Sequence, residues 1–352
     1  MKKQKALYFF MGTSTFVEKD LAIYKEYYDV RTFNFDFGQK WKIPFQLFEQ
    51  LIFLIRNFSG YKICYIQLAG IHSLLPVLIS KLGGKKSIII AAGTDCHSFP
   101  SIGYGNYQRT ILGMATRISF RFCSLILPKH HTLWRTNYTY DKNDYPEQGI
   151  AYFNKGIKTP YICIENGYDE NKFTSQSDPE ENSFVTVAGL LHKTSQQKLK
   201  GIDLILEVAK HFPTFKFTII GGEERFFRKL SSNIHLVPFI ANNELPSILS
   251  KHKYYLQLSM AEGFPNALCE AMLCQCIPIG SDVFSIPEII GDTGYILNER
   301  NPESLKKLIE NLPAEDLNKN GKSARERIKE NYSIEKRKEK FKQVFEKFRI
   351  NE

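Results

Sequence analysis

At 352 residues the chain is long for one core, and 43% hydrophobic with 24% charged residues is ordinary for a soluble globular protein of two domains. No stretch approaches the ~20 apolar residues needed to span a bilayer. The seven cysteines are odd in number with no signal peptide before them, which fits a reducing cytoplasm and excludes a disulfide framework.

The net charge of +10 is unevenly spread. Residues 1–175 hold 22 Lys and Arg against 13 Asp and Glu, a net of +9, whereas residues 176–352 hold 25 against 24, a net of +1. A basic N-terminal half fits an anionic partner such as a phospholipid surface, a lipid diphosphate or an acidic sugar polymer, or serves solubility alone. No nucleic-acid-binding motif accompanies the charge, so nucleic acid is not expected.

In chain order, strand-length apolar runs at 6–11, 28–33, 63–67, 87–91, 124–128 and 161–165 alternate with helical patterns, notably 17–27, 73–82 and 107–122. The segment 43–58, IPFQLFEQLIFLIRNF, holds Glu49 inside it and Arg56 near its end. It reads first as a core helix buried on one face, and second as a helix lying on a membrane. The second half repeats the alternation, with strands at 184–188, 217–221, 234–238, 254–258, 277–280 and 294–297. Alternating β and α twice over predicts two doubly wound parallel sheets, whose ligands bind beyond the carboxyl ends of the strands. The polar stretch 169–182, DENKFTSQSDPEEN, is the expected boundary, giving domains of 1–175 and 176–333. Helical patterns at 314–330 and 334–348 close the chain, the last with Phe341, Val344, Phe345 and Phe348 on one stripe.

Several junctions carry chemistry. Gly12-Thr13 follows the first strand, where glycine permits close backbone approach and the next N–H groups face the strand end. Ala92-Gly93-Thr94-Asp95-Cys96-His97 follows the strand at 87–91, and the glycine- and tyrosine-rich run 100–107 contains Tyr104 and Asn106. His72, after Gly70, is a further candidate to face the cleft. Lys200-Gly201-Ile202-Asp203 opens a helix, where a lysine suits a diphosphate. Cys274 and Cys276 lack a second ligand pair, so zinc is not expected.

The most informative stretch is 261–272, AEGFPNALCEAM. Glu262 and Glu270 stand eight residues apart around a Gly263-Phe264-Pro265-Asn266 turn that enters helix-forming sequence. A helix N-terminus favours phosphate, and the carboxylates suit hydroxyl groups. Phosphate and hydroxyls side by side suggest a nucleotide-sugar. By spacing alone, two such glutamates also arise as solvated helix residues.

EGFPN with LCEAM, followed by CIPIGS at 276–281, IPEII at 286–290 and GYIL at 294–297, resembles the E-x7-E region of the family-4 retaining glycosyltransferases (glycosyl transferases group 1). Ile164-Glu165-Asn166-Gly167-Tyr168-Asp169 with Phe173 is similar to the family's I-x-N-G-x-D…F segment, and residues 12–17 to its G-T-x-T-F-V loop. The resemblance implies a GT-B fold, α/β with two Rossmann-like domains facing a central cleft, and a terminal helix that crosses back to the first domain. It implies retaining transfer of a sugar from a nucleotide-diphosphate sugar to an acceptor hydroxyl, commonly in bacterial surface polysaccharide or glycolipid synthesis, with no metal or other cofactor. Glu262 would orient the transferred sugar and Glu270 the ribose. Gly12, Thr13, Lys200 and the segment Gly263, Phe264, Pro265, Asn266, Ala267, Leu268 would surround the diphosphate. Loops at Gly221 and Phe239 would border the base. Asp95 and His97 are the catalytic candidates opposite Glu262, with Tyr104 and Asn106 toward the acceptor.

The sequence departs from the family at Val187-Ala188-Gly189-Leu190, where Gly189 or Leu190 stands in the place of a phosphate-binding arginine. Lys193 and Lys198 are the candidates to replace it. The acceptor is expected to be an anionic or lipid-linked saccharide. The expected location is cytoplasmic, with peripheral contact at the inner face of the membrane through the N-terminal domain. The rival functions are a nucleotide-sugar epimerase, a catalytically weak sugar-binding homologue, and a glycoside hydrolase. The hydrolase needs carboxyl groups flanking one bond about 5–9.5 Å apart, for which two residues of one turn-helix unit are poorly placed.

Overall fold

The computed structural model describes residues 3–313 and 319–348. β1 (Gln4–Phe10) ends in five consecutive buried residues, the mark of a central parallel strand covered on both faces. It is followed by α1 (Thr15–Tyr27), β2 (Tyr28–Asn34), α2 (Ile43–Asn57), β3 (Tyr61–Gln67), α3 (Ile71–Leu82), β4 (Lys86–Ala91), α4 (Thr110–Phe122) and β5 (Leu125–Pro128). These strands form one parallel sheet in the order β2-β1-β3-β4-β5. A small antiparallel pair, β6 (Thr136–Asn137) and β7 (Glu147–Gln148), leads into the single turn α5 (Ile150–Phe153).

The second sheet repeats the plan. Its elements are β8 (Glu180–Val187), α6 (Thr194–Leu199), α7 (Ile202–Val208), β9 (Lys216–Ile220), β10 (Ile234–Val237), α8 (Leu245–Leu249), β11 (His252–Gln257), α9 (Asn266–Leu273), β12 (Ile277–Ser281), α10 (Ile286–Ile290) and β13 (Tyr295–Leu297). The strand order is β10-β9-β8-β11-β12-β13, parallel throughout. Three helices close the chain: α11 (Pro302–Glu310), α12 (Gly321–Asn331) and α13 (Ile334–Phe348). Asn301 and Asn320 accept backbone N–H groups as N-caps of the first two, Pro302 stands in the first turn of α11, and α12 starts after residues 319–320 of the expected helix at 314–330. Residues 314–318 of the expected helix at 314–330, and the side chain of Phe348, lie outside the description.

Alternation along β1 sends Ala6, Tyr8 and Phe10 to one face and Leu7 and Phe9 to the other, so the first sheet has a core on each side. One of those cores is completed by the end of the chain. Phe341, Val344 and Phe345 of α13 pack on Tyr24, whose ring lies 5.3 Å from that of Phe341. Arg337 of α13 is buried and pairs with the buried Asp20 of α1 at 2.6 Å. The chain thus crosses between domains twice, and the two crossings are bonded to each other. Tyr168 N–H donates to the Tyr332 carbonyl and Ile334 N–H to the Tyr168 carbonyl, both at 2.9 Å. Residues 169–179 contain neither helix nor strand.

One expectation fails and another holds only in part. Residues 161–165 lie extended beside β5, with Ile162 and Ile164 N–H groups donating to Ile126 and Pro128 carbonyls at 3.0 Å, yet only an isolated bridge forms. A parallel ladder would next need a donor from Pro128, which has none. The apolar helix α2 buries one face on the first sheet, through Leu54 and Phe53, but leaves its other apolar side chains outside. Only Gln50 and Leu54 of it are buried, while Phe45, Phe48 and Ile55 stand exposed.

Candidate functional site

The carboxyl ends of the two sheets face each other. β11 runs buried through Leu258, Ser259, Met260 and Ala261 before the chain turns at Glu262 and enters α9. Glu262 Oε1 accepts from Lys200 Nζ at 2.5 Å, Ser259 Oγ at 2.8 Å and Gln257 Nε2 at 3.2 Å. Three donors converge on one oxygen of a mostly buried carboxylate and hold it in a single orientation. Lys200 reaches it because Gly201 bends the chain at φ +68°. A Cβ on Gly201 would stand 2.2 Å from the Leu258 carbonyl, so glycine alone lets α7 start against β11.

Glu270 lies one and a half turns into α9, is buried, and borders a cavity of about 250 Å³ together with Gly189, Gly221, Phe239, Asn242 and Asn266. Burial raises its carboxyl pKa, opposed by the charge of Lys19 and by Asn242, whose Nδ2 lies 3.4 Å from both oxygens. Lys19 comes from α1 of the other domain, with its ammonium 5.3 Å from the Tyr168 ring centre. Phe239 stands 87% exposed at the rim, an unoccupied aromatic face. Gly221, at φ +91°, would place a Cβ 2.0 Å from the Ala188 carbonyl, which keeps this end of the cavity backbone-lined.

Gly12 adopts φ +67° and its N–H donates to Asn34 Oδ1 at 2.8 Å. It therefore bends the loop rather than offering a free donor. The free donors lie beyond it: α1 starts with no side-chain cap, and Thr13 is exposed. α9 is likewise uncapped by side chains. Phe264 and Leu268 are buried, and Phe264 packs on Tyr332 at 5.1 Å, so this segment contributes backbone, not side chains, to the cleft. Asn266 ties the halves together. Its Oδ1 accepts from Asn166 Nδ2 and from the Tyr168 hydroxyl, each at 2.8 Å. Closest of all is the approach of two glycines: a Cβ on Gly263 would lie 1.8 Å from the Ala92 carbonyl, and one on Gly93 3.2 Å from the Gly263 nitrogen.

The residues expected opposite Glu262 divide. Asp95 is fully buried, with Oδ2 accepting from Ala69 N–H at 2.9 Å and Oδ1 from Ala92 and Gly93 N–H at 3.2 Å. Burial raises its pKa against these donors, and the carboxylate holds the loop in shape. Asn106 is buried and donates to the Ala69 carbonyl at 2.8 Å and to Thr116 Oγ1 at 3.1 Å, inside its own domain. His72 is buried with Nε2 2.9 Å from the Gln67 carbonyl and does not face the cleft. His97 differs from these. Its ring is fully buried 4.1 Å from that of Phe284, burial pushes its pKa down to about 3, and among the described residues neither ring nitrogen has a hydrogen-bond partner. Tyr104 hydrogen-bonds Thr94 Oγ1 at 2.9 Å, and the charge of Glu262 is among those that raise its phenol pKa after burial.

Lys193 and Lys198 are exposed on α6 and its N-cap, outside the Glu262 network. Among the described residues, His130, His131 and Glu288 bring three metal-ligating atoms within 4.8 Å of one another at the domain boundary, with His130 Nε2 3.2 Å from Glu288 Oε2. Lys19, Asn242, Gln257 and Ser259 were not legible as site residues. A signal for the last two exists: they are polar and two apart in a run whose other residues are apolar, so they share one face at the end of a buried strand.

Comparison with known proteins bears on the fold and on the second half of the chain. Residues 168–333 match the family model described as Glycosyl transferases group 1. The N-acetyl-alpha-D-glucosaminyl L-malate synthase of Bacillus anthracis is 29% identical over 196 residues, 52% of this chain and 51% of its own length. The capsular polysaccharide biosynthesis glycosyltransferase CapH of Staphylococcus aureus is 31% identical over 151 residues, 40% of each chain. The chain thus spans about half the length, or less, of these curated relatives. Among solved structures, sucrose-phosphate synthase from Thermosynechococcus elongatus superposes with a TM-score of 0.71 at 14% identity, covering 98% of this chain and 99% of that one. Anabaena HepE, solved in complex with UDP and glucose, gives 0.70 at 14% identity over 98% and 100%. The chain has the GT-B fold, and the half of it that carries both glutamates matches the group 1 glycosyl transferases.

Proposed function

We propose that the protein is a retaining glycosyltransferase that moves a sugar from a nucleotide-diphosphate sugar to an acceptor hydroxyl, in the synthesis of a bacterial surface polysaccharide or glycolipid. The observation that carries this reading is the pair of carboxylates on one turn-helix unit: Glu262 held rigidly at the turn, and Glu270 at the cavity, with an uncapped helix N-terminus between them. Glu270 accepts from the ribose hydroxyls while the base lies toward Phe239. The diphosphate sits between the open ends of α9 and α1 and draws Lys200 toward itself. Glu262 is then free to accept from hydroxyls of the transferred sugar, kept in place by Gln257 and Ser259.

As the bond from the anomeric carbon to the diphosphate breaks, negative charge grows on the leaving oxygen, where backbone N–H groups and Lys200 stabilise it. The acceptor oxygen bonds to the same face of the anomeric carbon, and its proton passes to the leaving diphosphate. No protein base is required. His97 is neutral and fully buried, so it takes no proton from the acceptor, and Asp95 positions its loop. Metal is not required by this scheme.

The test is direct. The product should keep the donor's anomeric configuration by NMR, and activity should survive EDTA. An inverted product overturns the retaining reading. Donor identity follows from which nucleotide-sugar raises the melting temperature most, with UDP-sugars first because HepE was solved with UDP and glucose. An epimer formed without acceptor would instead identify an epimerase.

A further inference from the structure

α2 presents its apolar side chains away from the core. Phe45, Phe48 and Ile55 are each 63% exposed, and Trp41, just ahead of the helix, is 66% exposed. Residues 41, 45, 48 and 55 recur at helical spacing, so they form one stripe rather than scattered apolar residues. Trp41 and Phe45 meet edge to face at 6.2 Å. Glu49 is the only acidic residue of the helix.

Cations stand at both ends of the stripe. Lys42 Nζ lies 5.5 Å from the Trp41 ring centre. At the other end a pocket of about 170 Å³ is lined by Lys5, Arg31, Arg56 and Asn57 among others, with no carboxylate in its wall. Arg31 Nη1 donates to Asn57 Oδ1 at 2.7 Å, which fixes the guanidinium beside the end of α2. The Trp41 end lies on the cleft side of the sheet. It follows the carboxyl end of β2, where Phe35 and Phe37 pack together at 4.8 Å and reach the ring of His72.

We propose that α2 docks the N-terminal domain on an anionic phospholipid bilayer. Trp41, Phe45, Phe48 and Ile55 enter the boundary between headgroups and acyl chains, and the pocket of Lys5, Arg31 and Arg56 takes a lipid phosphate. Aromatic side chains with cations at the flanks are what such a boundary favours. No described helix is long and apolar enough to cross a membrane, so the contact lies along the surface. A second copy is the poorer occupant. A two-fold contact through α2 would bring the same basic face, from a half with a net of +9, against itself. The purpose of the contact rests on the glycosyltransferase reading, because it would set the cleft beside a lipid-linked acceptor. The contact itself does not.

Sedimentation with vesicles tests it. The protein should bind vesicles of phosphatidylcholine with phosphatidylglycerol, bind pure phosphatidylcholine at least tenfold more weakly, and release with salt. The Phe45→Ser/Phe48→Ser/Ile55→Ser variant should lose at least tenfold in binding. Each of Lys5→Gln, Arg31→Gln and Arg56→Gln should cost about fivefold. In a Trp134→Phe background, Trp41 fluorescence should shift to the blue on anionic vesicles. Melting curves with a nucleotide-sugar should not change in the α2 variants, so failure of docking and failure of the enzymatic reading remain separable. Absence of binding by the intact protein, equal binding by the triple-serine variant, or conversion of a dimer to a monomer by that variant would overturn the proposal.

Discussion

The two sheets share one plan, yet they furnish their carboxyl ends differently. The C-terminal domain offers polar side chains: Glu262 at the turn, Glu270 and Asn242 at the cavity, Lys200 between the sheets. The N-terminal domain turns several of its polar residues inward. Asp95 and Asn106 hold loops, His72 holds the end of β3, and Asp20 pairs with Arg337. What that domain brings to the cleft is backbone at Gly93 and Thr13 and the side chain of Lys19, while the ring of His97 is enclosed against Phe284. One domain lines its side of the cleft with polar side chains; the other frames it, and its distinctive surface lies outside the cleft on α2.

The strongest way to break this comparison is at the contact between the domains. Gly263→Ala places a Cβ 1.8 Å from the Ala92 carbonyl and must push the loops apart. A shift on the order of 1 Å near the reacting centre costs about 10²-fold, so turnover should fall by about that much. Unchanged turnover would mean that Gly93 and Gly263 need not meet.

The roles of side chains within the C-terminal domain come next. Glu262→Gln should lower turnover by about tenfold or more, because a neutral amide replaces a charged acceptor near the reacting centre. Nucleotide diphosphate binding by calorimetry should stay nearly the same, and wild-type turnover would remove Glu262 from the mechanism. Lys200→Ala should weaken nucleotide diphosphate binding by about 1.5–3 kcal/mol, the value of a charge-assisted contact, and leave nucleoside binding alone.

An effect on stability rather than turnover sharpens the framing role of the first domain. Lys129 is buried, with its amine 4.2 Å from the Phe16 ring centre, and burial pushes its pKa from 10.5 down to about 7. Between those pH values the unfolded chain binds more protons than the folded one, so stability should rise with pH, by less than about 1.4 kcal/mol per pH unit. Below the folded pKa the cost of the buried charge is fully present. Lys129→Met should flatten this rise in denaturant titrations at pH 7 to 10. A slope that persists in the variant would assign it to another group. The smallest effect is expected at Lys193→Ala and Lys198→Ala. Both lysines are exposed, and each should change diphosphate affinity by less than about 1 kcal/mol. A loss comparable to that of Lys200→Ala would identify the replacement for the missing arginine at Gly189 or Leu190.

Local chemistry was legible wherever neighbours in sequence are neighbours in space. The turn from Glu262 to Asn266 and the helix start at Lys200-Gly201 are such places, because turns and helix ends act over a few residues. Residues 161–165 were misread because a strand needs its partner's donors, and the partner is Pro128. Asp95 was read as a cleft residue because the sequence shows a carboxylate after a strand but not the Ala69 N–H that approaches from 26 residues away. Lys19 and Asn242 were missed because neither lies near Glu270 in sequence, and only folding brings their charge and amide onto it.

By itself the sequence determined the two parallel sheets, their order of elements, the basic bias of the first half, and the paired glutamates around an open helix end. These follow from periodicity, composition and short-range turn chemistry, which act along the chain. Tertiary structure alone decided which polar groups remain for a ligand and which are used up within the protein. Asp95, Asn106 and His97 are enclosed, Lys200 is drawn onto Glu262, and the apolar stripe of α2 faces outward. The reason is that burial and hydrogen bonding depend on what packs opposite a residue, and opposing groups come from anywhere along the chain.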